Sequence, residues 1–442
     1  MMPYAARRAR LLAQMQPGAV AVLGTAPEVL RNGDSDYPYR HDSHFYYLGG
    51  FAEPDSFLVL VAARGEHAAR SILFCREKNV EREIWEGFRF GPDAAQRECG
   101  FDEAYPIGEL DARMADILAD APSLYYALGS RLDARVAIWL EAVRARSRSG
   151  VTAPQTTHHL LGMLDEMRLL KDAHEVALMA RAGAISGQAH ARAMRATRPG
   201  LFEYEIEAEL LHEFRRSGAQ FPACPSIVAS GANACVLHYS ANNRRIVDGD
   251  LVLIDAGCEL DGYAADITRT YPANGRFSDA QRTLYELVLR AQAAALAAIV
   301  PGRPYSAIHD AAVRVLTEGM LDLGLLDAGK VGTLDDAIAS RAYAQFYMHG
   351  TGHWLGMDVH DVGAYRDVSL PDKPSRALQP GMALTVEPGI YVRPGEGVPE
   401  RFWDIGIRIE DDVLVTDAGC RILTGDAPKD VAEIEALMRE TR

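Results

Sequence analysis

A chain of 442 residues has room for two or three domains with substantial cores, and a composition of 48% hydrophobic and 24% charged residues belongs to a folded globular protein, not a disordered one. The formal net charge of −15 is carried by acidic residues spread along the whole chain, which argues against a nucleic-acid partner. No apolar run approaches the ~18 residues of a membrane span, and the six cysteines, scattered without C-x-x-C spacing, suit reduced thiols in a cytoplasmic protein.

The opening MMPYAARRARLLAQMQPG is rich in arginine and free of acids. That composition suits a transit peptide, but it also reads more simply as an amphipathic first helix stopped by Pro17-Gly18. Strand-like runs follow (AVAVLG, SFLVLVAA, SILFC, SLYYALG), mixed with helical stretches such as LDARMADILADAP, which predicts an α/β domain. RARSRSGVTAPQT has the composition of a surface linker, and HHLLGMLDEMRLLK reads as a connecting helix. The expected division is a domain of residues 1–170 and a second of 171–442.

Asp172, with Glu175 three residues on, predicts a capping box that opens a long alanine-rich helix running toward Arg198-Pro199-Gly200. A second helix, FEYEIEAELLHEFRRSG, stops at Gly218, and strand-like segments end in DLVLIDAG and YAADITRTY. The order then recurs: helices around 279–300 and 305–326, and strands near 346–360, 382–392, 404–410 and 413–416. Two helices followed by strands, stated twice, predict an α+β domain of two pseudo-symmetric halves.

Candidate ligands appear in the order Asp255, Asp266, His353, Glu387 and Glu410. Four carboxylates and one imidazole make a hard, oxygen-rich set that suits a pair of divalent ions and hydrolytic chemistry. Asp261-Gly262 is a two-residue hairpin signal. A tight turn there gives cross-strand partners whose numbers sum to 523, so Asp266 lies opposite Gly257 and Asp255 is its diagonal neighbour on the same face. Such neighbours stand roughly 7 Å apart at Cα, a spacing that grips two ions about 3.5–4 Å from one another. Asp255 closes the apolar run LVLI, which points to burial; read alone, the same pair also suits a solvent-facing hairpin.

In DIGIRIEDD the isoleucines take one face, while Arg408 and Glu410 share the other, as a site or as an exposed ion pair. Glu387 ends the run MALTV just before Pro388, which keeps it extended; a solvated strand end is the plainer reading of that residue in isolation. His349 and His353 imitate a zincin helix, but Gly350 and Gly352 weaken helicity and the zincin glutamate is missing, so a glycine-rich turn is expected. His360 completes three histidines in one short segment. His238 stands alone in VLHYS and, on that basis, suits a structural role as well as a functional one.

Taken together, DAG…DITRTY, MHGTGHWLGMDVHD, TVEPGIY and GIRIEDD resemble the catalytic signature of the pita-bread metallopeptidases. RNGDSDYPYRHDSHFYYLGGFAEPD and EIWEGFRFGPDAA resemble the bacterial Xaa-Pro aminopeptidase (aminopeptidase P) branch, so the likeness covers nearly the whole chain. The resemblance implies an α/β creatinase-like N-terminal domain on a pita-bread domain holding two divalent ions, manganese first, with cobalt, zinc or iron as alternatives. It implies that Asp255 binds one ion bidentately, that Asp266 and Glu410 bridge both, and that His353 and Glu387 complete the other. Glu387 is also the implied general base toward the bridging water.

By the same resemblance His238, His349 and His360 contact substrate and the developing oxyanion. Arg408, Tyr391, Asp34 and Arg148 form an ordering network, and Trp85 is offered to a neighbouring subunit's pocket in a homo-oligomer, tetramer or dimer. The implied substrates are peptides with proline second. A prolidase limited to Xaa-Pro dipeptides and a non-catalytic peptide-binding module are the alternatives; the presence of all five ligands disfavours the second. In QFPACPSIVASG, Cys224 and Pro225 stand where the family has an aromatic and a small polar residue, so a hydroxyl contact near the site is expected to be missing. A thiol nucleophile is a poor alternative, because no partner histidine is evident.

Overall fold

In the computed structural model, which describes residues 2–440, the chain divides at Met167/Arg168 into two units. The first is built on a six-stranded sheet in the order Glu103–Pro106, Arg70–Cys75, Phe57–Val61, Val20–Gly24, Ser123–Tyr126 and Thr156–His159. Its apolar runs alternate across a mixed sheet: Val20–Gly24 pairs antiparallel with Phe57–Val61 and parallel with Ser123–Tyr126. Val22, Val59, Ile72 and Leu124 on one face pack with Leu110, Met114, Val136 and Trp139 of the helices that cover it. This burial removes the apolar side chains from water at roughly 25 cal/mol per Å².

The opening helix forms as expected over Tyr4–Leu12. Two of its arginines are buried: Arg8 donates to the Leu48 carbonyl at 3.0 Å, and the Arg7 guanidinium lies 4.2 Å from the Tyr47 ring. The expected linker 144–156 is instead an internal loop of this unit. It leads through a short turn at Ser147–Ser149 into the edge strand Thr156–His159, which pairs parallel with Ser123–Tyr126. That strand reads TTHH and is largely exposed, so it lacks the apolar alternation by which a strand is recognised in sequence.

The second unit opens on Asp172, whose side chain accepts from the backbone of His174 and Glu175 while Glu175 reaches back, completing the capping box of helix Ala173–Ala196. Helix Glu203–Arg216 follows, then an antiparallel sheet of Ile227–Ser230, Leu251–Asp255 and Thr268–Pro272. The pattern repeats with helices Asp279–Ala298 and Ser306–Asp322 and a sheet of Ala383–Val386, Asp411–Thr416 and Gly419–Ile422. Gly389–Val392 and Ile405–Arg408 form a further antiparallel pair. Ala182, Leu210, Val252, Ile254, Leu284, Val288 and Ile407 are among the residues of the core that binds helices to sheets. Among the described residues no helix is long and apolar enough to cross a membrane.

Two expected strands differ. Residues 346–360, which follow a short turn at Ala342–Gln345, form no strand; apart from a single bridge from Trp354 to Leu384 the segment is irregular. It lies against Ala383–Val386, with Thr385 N–H donating to the His353 carbonyl at 2.9 Å and Glu387 N–H to that of Thr351 at 2.8 Å. A Cβ on Gly352 would sit 2.0 Å from the Thr385 carbonyl oxygen, so glycine permits the approach. The expected strand 382–392 is divided at Glu387-Pro388: its first half pairs with Asp411–Thr416, its second with Ile405–Arg408. Proline has no N–H to continue the ladder, and the chain passes there from one sheet to the other.

Candidate metal centre

The turn that sets the first two ligands is a type I′ turn, with positive φ at Asp261 (49°) and Gly262 (81°). The expected register holds on both sides of the hairpin: Leu260 pairs with Tyr263, Glu259 with Ala264, and Asp255 with Thr268. Between these ladders the backbones crowd. A Cβ on Gly257 would lie 1.7 Å from the Ala265 carbonyl oxygen, so only glycine lets Asp266 stand opposite this position. Asp266 is buried, whereas the Asp255 side chain is 18% exposed, less enclosed than its place after LVLI suggests, because it opens onto a cavity.

That cavity, of about 290 Å³, lies within the second unit and is lined by Asp255, Asp266, His353, Glu387 and Glu410, together with His238, His349, His360 and Arg408. Nine residues singled out in sequence therefore converge on one space. The His353 Nε2 is 3.5 Å from Asp266 and 3.7 Å from Glu387, while its Nδ1 lies 3.0 Å from the Trp354 carbonyl. A proton on Nδ1 satisfies that carbonyl and leaves Nε2 as a ligand. Ligand atoms of Asp266, His353 and Glu410 lie within 4.8 Å of one another, and so do those of Cys224, Asp255 and Asp266.

Arg408 organises the wall behind the carboxylates. Its Nη2 donates to Asp255 at 2.6 Å, its Nε to the Thr268 hydroxyl at 3.0 Å and its Nη1 to the Tyr391 hydroxyl at 3.0 Å. The Thr268 hydroxyl in turn donates to Glu410 at 2.7 Å, and the Tyr391 oxygen lies 2.8 Å from His349 Nε2. His349 thus carries its proton on Nδ1, beside the Gly350 carbonyl at 2.7 Å. The His353 and His360 rings meet edge to face at 4.2 Å. Thr268 escaped the sequence reading, although it shares a strand face with Asp266 by simple alternation. Asp412, whose carboxylate accepts from the Asp266 N–H at 3.0 Å, and Thr385, which accepts from the His353 N–H at 3.2 Å, also went unread.

Burial, then the neighbouring charges of Asp255, Asp412 and Glu387, hold the Asp266 carboxyl well above the ordinary range. Glu410 is raised in the same way by burial and by Asp266, Glu387 and Asp255. Glu387 is pushed up to about 7, chiefly by burial, with His353 and Arg408 opposing. Burial lowers His349 to about 4, and burial with the adjacent His353 lowers His360, so both imidazoles are neutral near pH 7. Asp266 Oδ1 is buried and accepts no hydrogen bond among the described residues. Crowded carboxylates and an orphaned buried oxygen are the signature of a site completed by cations, and the oxygen-rich donor set with one imidazole fits divalent ions. Burial and the facing carboxylates also push the Cys224 thiol well up, which disfavours it as a nucleophile.

The remaining candidates lie elsewhere. Tyr391 is buried behind the cavity wall. Asp34, Trp85 and Arg148 belong to the first unit, all three exposed, and none of them lines the cavity. Trp85 is the penultimate residue of helix Val80–Glu86, with 86% of its surface exposed.

Residues 177–417 match the family model described as metallopeptidase family M24, and residues 4–125 match that of the aminopeptidase P N-terminal domain. The Xaa-Pro aminopeptidase of Escherichia coli (strain K12) is 46% identical, over 99% of this chain and 97% of that protein. The structure of Pseudomonas aeruginosa aminopeptidase PepP is similar with a TM-score of 0.95 and 50% identity, covering 99% of this chain and 98% of the other. A zinc-substituted Escherichia coli aminopeptidase P in complex with product is similar with a TM-score of 0.94 and 45% identity, at the same coverage.

Proposed function

The chain belongs to metallopeptidase family M24, with an aminopeptidase P N-terminal domain ahead of a pita-bread catalytic domain, and from that premise we propose that it is an Xaa-Pro aminopeptidase, a metalloenzyme that releases the first residue of peptides whose second is proline. The observation that carries the reading is the convergence of Asp255, Asp266, His353, Glu387 and Glu410 on one cavity in which Asp266 Oδ1 has no partner among the described residues. Asp255, Asp266 and Glu410 would hold one ion and Asp266, His353, Glu387 and Glu410 the other, with manganese the first candidate and cobalt, zinc or iron alternatives. Bound divalent ions supply a nucleophilic water of lowered pKa and polarise the scissile carbonyl.

The protein's own groups do the rest. Glu387, a carboxylate that lines the cavity beside His353, is suited to take the proton of the attacking water and return it to the departing proline nitrogen. His349 and His360 line the cavity as neutral imidazoles; both ring nitrogens of His349 are engaged, by Gly350 and Tyr391, which leaves His360 as the imidazole suited to donate to an oxyanion without adding a permanent charge. Arg408 holds Asp255 directly and Glu410 through Thr268, which fixes both carboxylates before substrate arrives. The imide nitrogen of a bond to proline bears no hydrogen, so recognition falls to ring shape, and Leu237 and His238 line the cavity where such a ring would pack.

The same proposal assigns residues 1–170 to the N-terminal domain and 171–442 to the catalytic domain. It places the protein in the cytoplasm, which its free cysteines suit, as a homo-oligomer, tetramer or dimer. The exposed Val80, Ile84, Trp85 and Phe88 supply an apolar surface for that assembly. Turnover of Ala-Pro-Ala against Ala-Pro after manganese addition tests the activity. Cleavage of the tripeptide is expected; a dipeptide cleaved with the tripeptide untouched would make the protein a prolidase. No turnover of either, with no bound metal, would make it a binding module.

A further inference from the structure

Among the described residues whose ligand atoms cluster here, Cys224 is the one soft donor. It stands between Ala223, whose N–H donates to the Gly257 carbonyl at 2.8 Å, and Pro225, and the preceding Phe221–Pro222 pairs with the Cys258–Leu260 strand. Proline after Cys224 restricts it to extended backbone. The side chain is thereby pinned beside the hairpin that carries Asp255 and Asp266, and its sulfur lies within 4.8 Å of ligand oxygens of both. Cys224 is half-buried, and Asp266 has a buried oxygen, Oδ1, that finds no partner among the described residues. The sulfur and the two carboxylates make a mixed donor set. Thiolate and carboxylate ligands of one zinc ion stand roughly 2.3 and 2.1 Å from it, so donors this close can share an ion after small side-chain movement.

We infer that Cys224 is an additional metal-contacting residue, acting with Asp255 and Asp266 to turn one of the two ion positions toward borderline and soft divalent ions. The inference rests on the assignment of Asp255 and Asp266 as ligands. On coordination the thiol gives its proton to solvent and the sulfur lone pair to the ion; no oxidant or reductant is involved. Thiolate ligation favours zinc, cobalt and cadmium over manganese, which prefers carboxylates and water. The consequence is selectivity between ions, with the hydrolytic chemistry unchanged in kind.

The test uses the full-length protein freed of metal and reloaded with Co²⁺, followed by absorption spectroscopy, and competition titrations with Zn²⁺ and Mn²⁺. The wild type is expected to show a near-ultraviolet thiolate-to-cobalt charge-transfer band beside the visible cobalt bands. Cys224→Ser and Cys224→Ala should lose that band, keep the visible ones, and bind zinc more weakly by on the order of tenfold with manganese affinity nearly unchanged. Visible cobalt bands without charge transfer in the wild type, with zinc affinity equal in all three proteins, would overturn the role of Cys224 and leave the carboxylate ligands standing. Failure of the wild type to bind cobalt at all would overturn both.

Discussion

Glu387 concentrates two duties in one side chain. Glu387→Ala should remove a ligand and the base together, lowering kcat by at least about 10²-fold and weakening metal occupancy; steady-state kinetics with metal analysis checks both, and near-normal kcat would refute the assignment. Its raised pKa has a consequence for the metal-free protein. The stability contributed by keeping Glu387 protonated is fully present below the ordinary value of 4.5 and is lost as pH rises through about 7. Glu387→Gln cannot ionise. Metal-free variant and wild type should therefore melt alike near pH 4.5, and the variant should be the more stable above pH 7, by roughly 1–3 kcal/mol. His238 is a different case, since it lines the cavity but is not one of the five candidate ligands. His238→Ala should leave bound metal unchanged and lower kcat/KM on proline peptides; lost metal would show that its role had been misassigned.

At the level of elements, the hairpin was readable because two local signals agree. Asp-Gly demands positive φ at both turn positions, and the apolar run before it fixes which face is buried, so register and ligand spacing followed. Gly257 was not singled out, because its need for glycine comes from the Ala265 carbonyl across the hairpin. Gly257→Ala should force the strands apart beside both aspartates, reducing thermal stability and metal content together; a variant with wild-type melting and metal would contradict the crowding. Residues 346–360 were misread as a strand for a related reason. The segment pairs its backbone only here and there with Ala383–Val386, an arrangement set by a partner distant in sequence. The division at Pro388 was visible as a proline, yet its meaning, a handover between two sheets, lay in pairings that no local pattern contains.

Across the whole molecule, the catalytic unit was legible in its helix–helix–strand repetition, and the N-terminal unit was legible as α/β but not at its edge, where the polar strand Thr156–His159 reads as the end of a linker and the start of the connecting helix. The charged interior was not legible at all. Arg269 is fully buried; it donates to Asp411 at 2.7 Å, to the Thr268 carbonyl at 2.9 Å and to the Pro428 carbonyl at 3.0 Å, with Lys429 adding a 2.6 Å contact to Asp411. This ties the ligand hairpin, the strand after Glu410 and the segment near the C-terminus into one polar knot. Removing the cation alone strands a buried carboxylate, so Arg269→Met should cost about 3–5 kcal/mol in a urea titration; an unchanged midpoint would show that Lys429 suffices.

The turn at Asp261-Gly262 also bears on which changes in chain length the protein can survive. Asp255 and Asp266 face the same way only because the stretch between them is threaded with no residue to spare, Gly257 being pressed against the opposite backbone. A residue inserted between Asp255 and Gly257 would reverse the facing of one carboxylate or buckle the ladder, whereas two residues added at the tip extend the hairpin and leave parity intact. The number of residues between the two aspartates, and not their identity alone, is therefore part of what builds the metal site.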